Sequence, residues 1–286
     1  MITVFFHDHS KIFRANQQPN TWHLILEYRN IYTSSKLEEC MAERAEKTTA
    51  ILLVRHGERE TNHPGSGLKK DDKGTSFITD VVRADLENFP FAGALYAPTP
   101  VCRETLRLIF KGAKKLLFTG KEYLITETDA IYFPEQDLTH KWSPLVNELG
   151  GEIKTVADLK AAEERCLKSG SIREPFLLAE GERIFNHAVA ATAGFYHEGT
   201  LLVVTHSPLP ETVMLWLWKT QANPYARTEK TLADLPALSF MDGYLLILRD
   251  GKFEKVVLRN YEELVRRFRQ KEAAGESLRN LPLPKR

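Results

Sequence analysis

The sequence has few cysteines, no long apolar run and almost no net charge. Its 286 residues include three widely spaced cysteines, Cys40, Cys102 and Cys166, and no CxxC pair. That spacing argues against a disulfide framework or a structural zinc site and favours a reducing compartment. Lys and Arg total 39 against 38 Asp and Glu, so nothing at this level suggests a nucleic-acid or membrane-surface partner. Without an apolar run of about 18 residues or a signal-peptide pattern, we expect a soluble, cytoplasmic protein.

The chain is expected to contain one main domain with an extension at each end. Residues 1–49 show neither helical nor strand periodicity, and we predict an N-terminal extension there. Because the segment from Met41 resembles an ordinary protein start, we hypothesise that Met41 is the true initiator; the alternative is a genuine extension that packs on the domain. The main domain is predicted over residues 50–258, with a candidate cap at 127–180. A C-terminal helix and tail follow at 259–286.

Strand signals alternate with amphipathic helical patterns from Ala50 onward. This alternation is typical of an α/β domain with a mostly parallel sheet. Four short apolar segments are predicted as strands, and a hairpin with an Asp250-Gly251 turn is predicted near the end of the domain. The four strands are expected at Ala50 to Val54, Gly93 to Tyr96, Tyr123 to Thr126 and Leu201 to Thr205.

Polar residues follow three of these predicted strands or open the helix after them. Arg55 and His56 follow "AILLV", Arg103 lies in the first turns of a helix after "GALY", and His206 follows "LLVVT". Ligands of open α/β sheets bind beyond the carboxyl ends of the strands, so these are candidate site residues. Arginine binds phosphate bidentately, and imidazole can attack phosphorus or donate to its oxygens. The set therefore predicts a phosphoryl-transfer site.

These motifs resemble the histidine phosphatase superfamily, also called the phosphoglycerate-mutase-like family. The resemblance is carried by "LLVRHGERETN", by "YAPTPVCRETL" as a Ser-Pro-x-x-Arg-x-x-x-Thr-like stretch, and by "LLVVTHSPL", in the expected order. It covers roughly residues 50–258. It implies a three-layer α/β/α sandwich, a covalent phosphohistidine intermediate and no required metal or other cofactor.

The resemblance also implies a role for each matching residue. His56 would be the nucleophile that accepts the phosphoryl group. Arg55, Arg103 and His206 would bind the phosphoryl oxygens and stabilise the transition state, and Asn62 would be a secondary phosphate contact.

The carboxyl group that protonates the leaving oxygen is less clearly marked. Glu135, in Phe133-Pro134-Glu135, is the best match to the Leu-x-Glu stretch of the family, and Asp137 and Glu127 are competitors. The Gly-x-Trp-Glu that commonly follows in the family is absent. Glu135 is therefore the first candidate for the acid and base of the reaction.

Four functions remain open at the sequence level. The leading interpretation is a phosphomonoesterase that hydrolyses a small phosphorylated substrate through phospho-His56. The alternatives are a phosphoglycerate-type mutase, a phosphatase for phosphohistidine on a partner protein, and a non-catalytic phosphate-binding module.

Overall fold

A six-stranded mixed sheet forms the centre of the computed structural model. The structure describes residues 48–61, 65–69, 72–113, 125–132, 143–148, 156–193, 195, 199–220, 232, 235–236 and 238–275. The chain divides into two units, residues 1–45 and 46–286, and all described residues belong to the second. Met41, the first 47 residues and the end of the predicted tail lie outside the described residues.

The strands run β1 (Thr48–Arg55), β2 (Phe91–Tyr96), β3 (Ile125–Glu127), β4 (Gly199–Thr205), β5 (Gly243–Arg249) and β6 (Lys252–Arg259). Their order across the sheet is β3-β2-β4-β1-β5-β6. The β1/β4, β2/β4 and β2/β3 pairs are parallel, whereas β1/β5 and β5/β6 are antiparallel. The carboxyl ends of β1, β2 and β4 therefore meet at one edge of the sheet.

Seven α-helices are present among the described residues: α1 (Asp72–Ala84), α2 (Pro100–Gly112), α3 (Ser143–Glu148), α4 (Val156–Ser169), α5 (Glu174–Thr192), α6 (Leu209–Thr220) and α7 (Tyr261–Ala273). Short 3₁₀ turns occur at Leu86–Asn88 and Asp129–Ile131.

Two apolar clusters cover the two faces of the sheet. Along β1, Leu52 and Val54 belong to the cluster that contains residues of α1, α2 and α7, while Ile51 and Leu53 belong to the cluster with residues of α4, α5 and α6. A strand covered on both faces reads as a continuous apolar run, which explains the "ILLV" of β1. The predicted three-layer α/β/α architecture with a mostly parallel sheet is confirmed.

Local signals account for several element boundaries. Pro100 opens α2, where a missing N–H costs nothing, and Asn260 caps α7 by accepting a hydrogen bond from the N–H of Glu263 at 3.0 Å. Asp250 and Gly251 both adopt positive φ in the β5–β6 turn, as a two-residue hairpin of this sequence predicts. The helix α4 lies within the predicted cap region, and its Ala162 and Cys166 are buried in the core.

Candidate active site

The site is built where β1 and β4 end side by side. Arg55 is the register partner of Thr205, so the residues that follow, His56 and His206, leave the sheet at the same edge. The N–H of His56 donates to the carbonyl of Thr205 at 3.0 Å, which fixes the two strand ends together. As a result the two imidazole rings lie with their centroids 4.6 Å apart at an interplanar angle of 63°.

His56 is held as a neutral ring with a defined tautomer. Its Nδ1 lies 2.6 Å from the carbonyl oxygen of Gly57, an atom that only accepts, so Nδ1 carries the proton and donates. Burial lowers the pKa of His56 well below its ordinary value, and the neighbouring His206, Arg59 and Arg55 lower that pKa further. The Nε2 atom of His56 therefore has a lone pair at neutral pH, as a nucleophile requires.

The loop after His56 is fixed by close packing. The N–H of Gly57 donates to Thr105 Oγ1 of α2 at 3.0 Å. A Cβ atom at Gly57 would lie only 2.6 Å from Cδ1 of Ile78 and 2.7 Å from Cδ1 of Leu68. Glycine lets the backbone approach both side chains, and any larger residue would require the ends of Ile78 and Leu68 to shift.

His206 is bonded through both ring nitrogens. Arg59 Nη2 lies 3.0 Å from His206 Nδ1, and because a guanidinium only donates, Nδ1 must be the acceptor. The proton is then on Nε2, which lies 3.1 Å from Thr99 Oγ1 and 3.5 Å from Cys102 Sγ. Burial lowers the pKa of His206 well below its ordinary value, and Arg59 and Arg55 lower it further. Both histidines are therefore neutral at neutral pH.

Two arginines accompany the histidines, the buried Arg55 and the partly buried Arg59. Arg55 is 5% exposed, donates from Nη1 to the carbonyl of Leu238 at 2.5 Å, and stacks over the Phe240 ring at 4.5 Å. The Nε atoms of Arg55 and Arg59 are both buried without a hydrogen-bond partner among the described residues. Buried polar atoms are almost always hydrogen-bonded, so unused donors at this point suit an anionic ligand.

Two aromatic rings flank the histidine pair. The Tyr132 ring lies 5.3 Å from that of His206, and the Phe240 ring lies 5.9 Å from that of His56, measured between centroids. Apolar walls around charged donors lower the local dielectric and strengthen each electrostatic contact with an anion.

The structure brings Arg55, His56 and His206 together, but not Arg103. The Arg103 side chain is 46% exposed, and its Nη2 donates to Glu127 Oε2 at 2.6 Å. Glu127, a competing candidate for the catalytic acid, is thus engaged in a surface ion pair. The physical reason is helical phase, since Arg103 lies on the face of α2 opposite the buried Val101 and Thr105.

The remaining sequence-predicted residues, Asn62, Glu135 and Asp137, lie outside the described residues. Sequence reasoning missed three residues that contact His206, namely Arg59, Thr99 and Cys102. A signal existed for two of them. Arg59 lies in the same RHGER stretch as His56, and the apolar stripe of α2 turns Cys102 rather than Arg103 inward.

Cys102 does not have the properties of a nucleophile. Its thiol is fully buried, and burial raises its pKa to about 12. A cysteine nucleophile acts as the thiolate, which this site disfavours. Among the described residues there is also no group of three His, Cys, Asp or Glu side chains that could hold a metal ion, and no helix long and apolar enough to cross a membrane.

No protein-family model and no curated protein matches the chain. Solved structures do resemble it. A phosphoserine phosphatase from Entamoeba histolytica is 13% identical over 73% of this chain and 94% of its own, with a TM-score of 0.43. An Escherichia coli structure described as a putative alpha-ribazole-5'-P phosphatase is 14% identical over 74% and 95%, with a TM-score of 0.39.

A phosphoglycerate mutase from Plasmodium falciparum is 12% identical over 74% of this chain and 89% of its own, with a TM-score of 0.37. Such solved structures are phosphatases and mutases of the histidine phosphatase superfamily. The motifs of this chain resemble the same superfamily.

Proposed function

We propose that this protein is a histidine-dependent phosphatase that hydrolyses a small phosphomonoester through a phosphohistidine at His56. The observation that carries the proposal is the neutral His56 ring, with Nδ1–H donated to Gly57, beside His206 and two arginines whose buried Nε donors are unused among the described residues. This arrangement combines a nucleophile with electrostatic stabilisation of a phosphoryl group.

In the first step, His56 Nε2 attacks the phosphorus atom, the N–P bond forms and the bond to the leaving oxygen breaks. Arg55 and Arg59 compensate the charge on the phosphoryl oxygens, and the Nε2–H of His206 turns from Thr99 to the same group. In the second step, water attacks the phosphorus, releasing phosphate and restoring neutral His56. The leaving alcohol takes up one proton and the attacking water loses one, and Glu135 remains the proposed carboxyl group for both transfers.

The test is to trap the intermediate. The full chain is mixed with a chromogenic aryl phosphate, quenched at alkaline pH and digested, and the peptide containing His56 is examined by mass spectrometry for acid-labile phosphate. We expect phosphate on His56 and release of inorganic phosphate. His56→Ala should abolish both. His187→Ala, which removes a half-buried histidine of α5, should retain both.

Three outcomes would contradict the proposal. Full turnover by His56→Ala would exclude the nucleophile. Phosphate transfer to a second hydroxyl without net release would favour the mutase alternative. If no phosphopeptide forms and neither phosphomonoesters nor phosphohistidine peptides are turned over, the result would favour the non-catalytic phosphate-binding module.

A further inference from the structure

A buried carboxylate lies behind the site, in the first turn of α6. Glu211 is 3% exposed, and its Oε1 accepts hydrogen bonds from Ser207 Oγ at 2.8 Å and from the N–H of Leu238 at 3.2 Å. Moving a carboxyl group from water into the protein interior costs free energy unless new hydrogen bonds compensate the loss of hydration.

Both bonds lead directly to residues of the candidate site. Ser207 follows His206 in the chain, and the carbonyl of Leu238 accepts the hydrogen bond from Arg55 Nη1. Leu238 thus lies between Glu211 and Arg55, bonded to one through its N–H and to the other through its carbonyl. Glu211 connects the segment that carries His206 to the segment that orients Arg55.

The segment around Leu238 has few other attachments to the end of β1. Within the described residues these include backbone bonds from the N–H of Arg55 to the carbonyl of Asp242 at 2.9 Å and from the N–H of Met241 to the carbonyls of Arg55 at 3.1 Å and His56 at 3.4 Å. The Phe240 ring also packs against Arg55 and His56. The hydrogen bonds fix the backbone of Arg55. Its guanidinium is oriented by the carbonyl of Leu238, which accepts its hydrogen bond, and by the Phe240 ring on which it stacks.

We propose that Glu211 is a positioning residue for phosphate binding, acting by holding the Leu238 carbonyl that orients Arg55. This inference rests on the proposed function of the site. With Nη1 occupied by Leu238, the guanidinium keeps its Nε donor unpaired for the incoming anion. Without Glu211 the segment that contains Leu238 shifts, and the guanidinium of Arg55 loses the carbonyl group that orients it.

The accepting oxygen of Glu211, rather than a full negative charge, performs this role. Burial raises the pKa of Glu211. Glu163 of α4, Tyr244 of β5 and Asp242, just before β5, also face this region, and Arg55 is the nearby cation. Because two hydrogen bonds converge on Oε1, a glutamine amide oxygen can accept both, and we expect Glu211→Gln to preserve the function.

The experiment measures the Kd of inorganic phosphate by calorimetry with the full chain and its variants. We expect Glu211→Ala to weaken binding about tenfold or more, the equivalent of one lost charge-assisted hydrogen bond, and Glu211→Gln to stay within about threefold of the parent. In the Arg55→Ala background, Glu211→Ala should have no further effect, because it acts through Arg55. Thr212→Val is the matched control. Thr212 is a buried neighbour of Glu211 in α6, and among the described residues its hydroxyl donates only to the carbonyl of Leu209 in the same helix. We expect the Thr212→Val variant to bind phosphate like the parent.

Each contrary result has a distinct meaning. If Glu211→Ala binds phosphate like the parent, or weakens binding equally with and without Arg55, the positioning role is overturned and the phosphate site is not. If Glu211→Ala does not fold, Ser207→Ala, which removes one of the two anchors, should weaken binding about threefold, and unchanged affinity would overturn the inference. If the parent itself binds no phosphate, the proposed function fails together with the inference.

Discussion

Arg59 is the second arginine of the proposed anion site, beside Arg55. Its guanidinium contacts His206, and the backbone of Arg59 is paired with Leu68 in an isolated antiparallel bridge that fixes the loop. The sequence motif pointed instead to Arg103 as the second arginine. In the structure that side chain is exposed and paired with Glu127. Arg59 is therefore the residue to which we assign the second phosphate-binding role.

A pair of matched substitutions tests this assignment. We predict that Arg59→Gln lowers kcat/KM for an aryl phosphate about 100-fold or more, because it removes a donor that stabilises the phosphoryl group. Arg103→Gln should change kcat/KM no more than about threefold, because an exposed ion pair contributes little. A larger loss for Arg103 than for Arg59 would contradict the assignment and restore Arg103 to the site.

At the scale of elements, the layer formed by α5 and α6 supports the β4 end of the site. Gly181 lies in the middle of α5, and a Cβ atom there would press on the carbonyl of Thr212 and lie 2.9 Å from Cβ of Trp216. The helix α6 begins just after His206 and carries Glu211 in its first turn. Close packing of these two helices therefore fixes the segment that contains both residues.

We predict that Gly181→Ala destabilises the protein by about 1–3 kcal/mol, because the added methyl group meets backbone that cannot rotate away. This outcome opposes helix propensity, which favours alanine over glycine by about 1 kcal/mol in a helix interior. The measurement is urea unfolding. The control Glu182→Ala, at the exposed neighbouring position, should stay within about 0.5 kcal/mol. An increase in stability for Gly181→Ala would show that α5 and α6 can separate without cost.

At the scale of the whole molecule, the site makes stability depend on pH. His56 and His206 have pKa values lowered well below 6.5, first by burial and then by neighbouring positive charge. Below pH 6.5 the unfolded chain binds protons on these residues while the native protein does not, so the free energy of unfolding falls as pH falls. Glu211 and Glu163, with raised pKa values, contribute with the opposite sign above about pH 4.5.

The histidine contribution can be isolated with one variant. We predict that His56→Gln reduces the slope of unfolding free energy against pH below 6.5, by at most about 1.4 kcal/mol per pH unit for one proton. Urea unfolding at a series of pH values measures it. His187→Gln should change the slope less, because burial lowers the pKa of that half-buried ring by a smaller amount. Parallel curves for the parent and His56→Gln would mean that His56 is not held neutral.

The sequence alone determined the features that depend on local order along the chain. The alternation of apolar and polar segments predicted the α/β layers, and the apolar run "ILLV" predicted a strand, which the structure shows to be covered on both faces. The Asp250-Gly251 turn and the Asn260 cap follow from the preferences of single residues. The motifs around His56 and His206 placed both histidines at strand ends, and parallel pairing of β1 with β4 makes those ends adjacent.

Only the tertiary structure decided which side chains complete the site. The direction of Arg103 depends on the phase at which α2 packs on the sheet; the apolar stripe of α2 indicates that phase, whereas the spacing of the arginine motif does not. The position of Arg59 depends on the pairing of its loop with Leu68, and that of Glu211 on the approach of residues 238–242 to the end of β1. Such contacts join residues distant in sequence, so their geometry is set by the packing of the whole core.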